Sequence, residues 1–174
     1  MITTRERLLD AAHALVETGG YAAASVAAVT EQAGVAAGTL YRHFPSKAEL
    51  FAELFRTVCD REAAAMEAER DVESVLVTFA ERALRNPRLA WALIAEPVDP
   101  LVERERLAYR RRYAAHLTGL IRAGVAAGEL PPQRPELTAA ALVGGVAEAL
   151  VGPLAAEADL EDLRGFVRRA VGAG

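Results

Sequence analysis

Cysteine, lysine, serine and aromatic residues are all scarce in this chain of 174 residues, and each scarcity removes a class of chemistry. A single cysteine, Cys59, has no partner for an internal disulfide or a Cys-x-x-Cys site, so redox and zinc-ribbon proteins are not expected and Cys59 reads as inert. The three serines are Ser25, Ser46 and Ser74; none sits in a G-x-S-x-G elbow, and two are better used as helix caps, so a serine hydrolase is not expected. His13, His43 and His116 stand far apart and outside any metal-ligand spacing, so neither a metal nor a cofactor is expected. Long apolar runs are missing too. The stretch from Leu137 to Ala147 falls well short of the roughly 20 residues that cross a bilayer. Met1 to Glu6 lacks the apolar region of a secretory signal, so a cytoplasmic protein with no membrane partner is expected.

What is abundant is alanine, at 38 positions, among other good helix formers. Alternating β-branched runs between turns do not occur, and the expected class is all-α. Hydrophobic residues make up 52% and charged residues 25%, a balance that suits a globular core. The first helix opens on a capping box, Thr3-Thr4-Arg5-Glu6, and closes at Gly19-Gly20. A second runs from the Ser25 N-cap to Ala33, with Gly34 free to turn left-handed. A third spans Ala36 to His43 and stops at Phe44-Pro45. Ser46-Lys47-Ala48-Glu49 is another capping box, opening a long helix toward Met66 that bridges the two parts of the chain. Prolines and glycines then separate helices over 72–84, 87–95, 100–127, 135–151 and 160–171.

Two short helices joined at a glycine, with a third packed across them, form a helix-turn-helix whose second helix fits a DNA major groove. Gly20-Tyr21, Ser25-Val26-Ala27-Ala28-Val29, Ala33-Gly34-Val35 and, above all, Gly38-Thr39-Leu40-Tyr41-Arg42-His43-Phe44-Pro45-Ser46-Lys47 carry a resemblance. Over about its first 55 residues the chain resembles the N-terminal signature of the TetR family of bacterial transcriptional regulators. The resemblance implies an N-terminal helix-turn-helix domain, 1–50, and a helical ligand-binding and dimerisation domain, 51–174.

Charge points the same way locally. The whole chain carries a net charge of −4, which argues against a general nucleic-acid binder. Between Gln32 and Ala48, however, there is no acid, and Arg42, His43 and the only lysine, Lys47, fall inside that window. Leu40 and Phe44 take the inward i, i+4 positions, which turns Tyr41 and Arg42 outward. A phenol, an imidazole and an ammonium beside a helix N-terminus can reach phosphate oxygens, so Tyr41, His43 and Lys47 are assigned to DNA. The resemblance adds Thr39 to these backbone contacts. The predicted DNA set is Ser25, Ala36, Ala37, Gly38, Thr39, Tyr41, Arg42, His43 and Lys47. Ala36-Ala37 departs from relatives that begin this helix with a hydroxyl cap and a polar side chain. It shifts base readout to Gly38, Thr39, the second-helix residues Thr30 and Gln32, and DNA shape. The run Arg104, Arg106, Arg110, Arg111 and Arg112 is interleaved with acids and reads as a solvated or acid-paired helix face.

The middle helices carry Phe79, Trp91, Ile94 and Leu117 at core spacings. The resemblance implies an inducer pocket there, lined by these with Tyr113, His116 or Glu96 as polar handles. The last two helices are different. Ala139, Ala140, Ala141, Gly144, Gly145 and Ala149 give one a small-residue face, and Leu160, Leu163, Val167 and Ala170 give the other an a/d-like stripe. Paired with a second copy, they would make a four-helix homodimer interface like the family's. The expected function is a ligand-responsive dimeric regulator, a repressor of a near-palindromic double-stranded operator released by a small apolar or amphipathic inducer. The alternative is an all-α binding or enzymatic bundle that has lost DNA recognition.

Overall fold

The computed structural model describes residues 2–173. Among them the chain forms α1 (Thr4–Ala23), α2 (Val26–Gln32), α3 (Ala37–His43), α4 (Lys47–Glu67), α5 (Val72–Arg85), α6 (Pro87–Ile94), α7 (Pro100–Ala127), α8 (Pro135–Val151) and α9 (Leu160–Val171). A 3-10 turn, Ala155–Glu157, precedes α9, and the described residues contain no strand, so the fold is all-α as the sequence predicts. No helix among them is long and apolar enough to cross a membrane.

Contacts divide the chain into two compact units, each discontinuous in sequence. The first is Met1–Cys59 with Asn86–Arg106, and the second is Asp60–Arg85 with Leu107–Gly174. The long helices α4 and α7 contribute to both. Packing therefore cuts across the chain, and neither unit coincides with the expected division into 1–50 and 51–174.

In the first unit the local signals act as the sequence predicts. Thr3 and Glu6 close their capping box and Ser25 caps α2 through Ala28 N–H, while of the box expected at Ser46–Glu49 one half is formed, Ser46 Oγ accepting from Glu49 N–H at 3.1 Å. The turn between α2 and α3 needs a left-handed residue, which Gly34 supplies at φ +64°. The Arg7 guanidinium, on α1, donates to the Ala33 and Gly34 carbonyls and pins that turn. Leu8, Val16, Val29, Leu40 and Phe44, each at most 2% exposed, form the core beneath.

Two sequence expectations are overturned in this unit, those for Thr30 and Glu96, and a third, for Arg106, is met only in its acid pairing. Thr30 is buried, and its hydroxyl donates to the Val26 and Ala27 carbonyls, so its side chain is unavailable to base edges. Arg106 is no solvated member of the basic run. It is 6% exposed and caps the end of α6, donating to the Ala92, Leu93 and Glu96 carbonyls at 3.1, 2.9 and 2.8 Å and to the Glu103 carboxylate at 2.5 Å. Glu96 is no free polar handle. α1 breaks at Gly20, φ +75°, and the Glu96 carboxylate accepts from the freed Tyr21 and Ala22 N–H groups at 3.1 and 3.2 Å. Arg88 completes the joint by donating to the Gly19 carbonyl at 2.5 Å.

In the second unit α5 packs on α8 and α9. Its core includes Leu76, Leu117, Ile121, Leu142, Val146 and Val167. Arg168 and Arg164 on α9 both hold the Glu73 carboxylate, at 2.6 Å each, with Arg168 first in keeping it below the usual carboxylate range. Arg112 fits the acid-paired reading of the basic run, donating to both Glu67 oxygens at 2.6 and 2.8 Å.

The Gly20 joint yields a test. A Cβ at Gly20 would collide with the Arg88 and Glu96 side chains as well as forcing a left-handed conformation, whereas a Cβ at Gly34 would meet only Arg7 Nη2, at 3.1 Å. Gly20→Ala is expected to cost about 2–4 kcal/mol, left-handed strain plus lost buried hydrogen bonds, and Gly34→Ala about 1–2 kcal/mol. Urea midpoints measure both, and equal midpoints would show that the joint carries no special weight.

Candidate nucleic-acid interface

Seven residues are few for a helix, and α3 has no side-chain cap at Ala36, so its stability comes from tertiary contacts. Leu40 and Phe44 supply them at 0% and 2% exposure, and the Arg5 guanidinium lies 4.9 Å over the Phe44 ring. Every other side chain of α3 is then free of core packing. Ala36, Ala37, Gly38, Tyr41, Arg42 and His43 are exposed and Thr39 is half-buried. Tyr41, at 56% exposure, is a surface aromatic and not a core one. Gly38, Tyr41 and Arg42 follow one another at i, i+3 and i+4 and so share a helix face.

The structure places the remaining predicted residues beside this face or apart from it in sequence order. Lys47, exposed, opens α4 after the Ser46 cap, and its ammonium sits 5.2 Å from the Phe51 ring centroid. Ser25 is exposed at the start of α2, its hydroxyl already accepting from Ala28 N–H at 3.1 Å. Arg42, His43 and Lys47 make no ion pair among the described residues. Gly38 has an ordinary helical backbone, and a Cβ built on it would find nothing within 4 Å. The fold does not require glycine there, and the missing side chain leaves room for close approach from outside the chain.

The predicted ligand residues fall into the two units. Trp91 and Ile94, half-buried on α6, belong to the first. Phe79 on α5 and Tyr113, His116 and Leu117 on α7 belong to the second, where Leu117 is 1% exposed and the buried His116 Nε2 has no hydrogen-bond partner. Sequence reasoning missed Tyr21, 7% exposed, whose buried hydroxyl also lacks a partner. Its only signal was a place in the Gly20-Tyr21 pair.

Comparison with known proteins adds to this geometry. The family described as bacterial regulatory proteins, tetR family, matches residues 8–54. The chain is 42% identical over 101 residues to the HTH-type transcriptional repressor KstR of Mycobacterium tuberculosis, covering 51% of this chain and 44% of that one. It spans less than half the length of the KstR proteins it matches, between 22% and 48%. It is 32% identical over 160 residues to the nucleoid occlusion factor SlmA of Vibrio vulnificus, covering 82% of this chain and 79% of that one. The fold is similar to that of the transcriptional regulator FadR from Bacillus subtilis in complex with stearoyl-CoA, with a TM-score of 0.72 at 20% identity over 97% of this chain and 98% of that one.

Two substitutions test the face. Gly38→Ala is expected to leave stability equal or up to about 1 kcal/mol higher, as glycine gives way to alanine in an exposed helix, while DNA affinity falls. Unchanged affinity in a gel-shift titration would remove Gly38 from the interface. Lys47→Ala should weaken all duplexes alike and reduce the slope of log affinity against log salt by about 0.9, one phosphate contact. A parental slope would mean that Lys47 does not meet phosphate.

Proposed function

The chain belongs to the TetR family of bacterial regulatory proteins, and on that premise we propose that it is a transcriptional repressor that binds its operator as a homodimer and is released by a small apolar or amphipathic molecule. The observation that carries the reading is the division of labour on α3: Leu40 and Phe44 hold the helix down, while Gly38, Tyr41, Arg42 and His43 are left exposed in a window without acids. Arg42 and Thr39 offer hydrogen bonds to base edges. Tyr41, His43, Lys47 and the start of α2 at Ser25 offer contacts to phosphate. Ala36 and Ala37 offer only methyl groups, which suit thymine C5 or a purely steric fit. Membership of a family of DNA-binding regulators sets aside the enzymatic bundle.

A dimer is supported by what α8 and α9 leave uncovered. Gly144, Gly145, Ala140 and Ala141 are exposed on α8, with Leu137 at 61% and Phe166 of α9 at 40%. Small residues let two backbones approach closely, and isolated exposed apolar faces of this kind favour self-association. Two-fold symmetry then places two α3 helices on successive major grooves, roughly 34–36 Å apart, and a near-palindromic operator follows. In the second unit, half-buried Phe79 and buried Leu117 are apolar and the buried His116 Nε2 has no partner, a composition that suits an apolar ligand with one polar group. Tyr113 is assigned to the same ligand. The FadR neighbour is in complex with stearoyl-CoA, an amphipathic molecule that carries a long apolar chain. Release requires the ligand to favour a different separation of the two reading helices, with a coupling of about 1–3 kcal/mol.

A second reading, nucleoid occlusion, is favoured by the length of the likeness to SlmA, 82% of this chain. Footprinting across the genome, with transcript levels in a deletion strain, separates the two. A repressor occupies promoters and its loss raises the neighbouring transcripts; unchanged transcripts beside occupied sites would overturn repression.

The dimer is tested at Gly144, where a Cβ meets nothing within 4 Å in the protomer. Gly144→Arg should therefore fold, yet sediment as a monomer and bind a full operator at least about tenfold more weakly, since a long charged side chain enters a close apolar contact. An intact dimer in that variant would place the interface elsewhere.

A further inference from the structure

The first unit holds a cleft of about 460 Å³ that the reading above does not use. It lies where the end of α1, the first turns of α4 and the segment entering α7 meet, and it is inside the range of roughly 300–1,000 Å³ typical of small-molecule sites. Phe51, Val98, Val102 and the Tyr21 ring give it apolar walls, and Lys47 and Asp99 are its charged lining. We propose that this cleft binds a small apolar monocarboxylate, with Lys47 as its charge partner.

The chemistry of the two charged groups selects that class. Lys47 has no ion pair among the described residues and lies 5.2 Å from the Phe51 centroid, so a carboxylate reaching its ammonium brings its apolar body against an aromatic wall. Asp99 is differently placed: its Oδ1 accepts from Leu101 N–H at 2.8 Å, capping α7. A cationic ligand would gain a carboxylate that already has a donor and would meet an ammonium that has no acceptor. An anion gains the unmatched group. The Asp99 charge in the same cleft penalises a second negative charge, which favours a monocarboxylate over a phosphate or a dicarboxylate.

Tyr21 completes the apolar wall. Its ring stands edge-on to Phe51, centroids 5.3 Å apart at 86°, which extends the aromatic surface along the cleft. Its hydroxyl is enclosed in the protein and is not offered to a ligand. Burial pushes the Tyr21 phenol up, so this wall stays uncharged.

A consequence follows that rests on the proposed role of Lys47 at DNA phosphate. A carboxylate paired with Lys47 takes one cation from the DNA face, so the ligand and any duplex compete regardless of base sequence.

Phenylbutyrate is a suitable probe, with neutral phenylbutanol and doubly charged phenylsuccinate as controls, titrated calorimetrically into the full chain. Saturable binding of one phenylbutyrate per chain is expected, with both controls about tenfold weaker or worse. Lys47→Met should lose about tenfold, and Val98→Trp, which fills the cleft, should lose binding altogether; thermal melts verify that both variants fold. No saturable binding, equal binding of phenylbutanol, or undiminished binding to folded Val98→Trp would overturn the site. Random-sequence duplex titrated with and without phenylbutyrate reads the consequence. If phenylbutyrate binds as expected while Lys47→Met holds duplex DNA as tightly as the parent, the cleft stands and the phosphate role of Lys47 falls.

Discussion

The joint between the end of α1 and the end of α6 is the constraint on which the first unit depends. Removing a carboxylate from water costs several kcal/mol, and a buried guanidinium costs as much, so Glu96 and Arg106 would destabilise the fold if either lacked partners. Each has them. Glu96 closes the two N–H groups exposed by the break at Gly20, and Arg106 takes the carbonyls that α6 leaves open at its end. The two charges thus act as caps for broken backbone, and the helix that carries Leu8 and Val16 into the core beneath α3 is fixed to α6 by hydrogen bonds that cannot be traded for water.

This joint explains why helix limits were legible in the sequence while their assembly was not. Helix starts and stops are written locally, in Thr3 and Glu6, in Asn86-Pro87, in Pro100 and Pro135, and the observed elements begin and end within a residue or two of those signals. The inward spacing of Leu40 and Phe44 likewise left Tyr41 and Arg42 outside, as the structure has them. Glu96 and Arg106 carry no such signal. A glutamate before a proline looks like a surface residue until Tyr21, 75 positions away, is brought to it, and an arginine within a basic run does so until the end of α6, 10 to 14 positions back, folds against it. Thr30 failed for a related reason: a hydroxyl in a short helix bonds back to the preceding turn as readily as it faces outward. The cleft was invisible because its lining comes from three separate segments.

Net charge misleads here in an instructive way. A total of −4 describes the field far from the molecule, but screening limits exposed charges to about 8 Å at physiological salt, so a DNA phosphate responds to the nearest groups. Many guanidiniums elsewhere are matched to acids, as Arg5 is to Glu53, Arg82 to Glu62 and Arg168 to Glu73. Pairs of this exposed kind add little stability, and their effect is mainly to cancel local field. In the window from Gln32 to Ala48 no acid is present to do so, and Arg42 and Lys47 keep their charge available.

Economy of side chains on α3 follows from the same separation of duties. A helix of seven residues with an alanine at its cap position cannot persist alone, so two of its side chains and the Arg7 clamp on the preceding turn must hold it. Because those contacts lie on one side, substitution on the other changes what the helix touches without changing whether it forms. Gly38, with empty space where its Cβ would be, shows the limit of that freedom. Nothing inside the molecule asks for a glycine, which lowers helix stability. A residue that the fold tolerates at a cost, on a face that the fold leaves bare, is the one whose replacement separates what the fold needs from what this face touches.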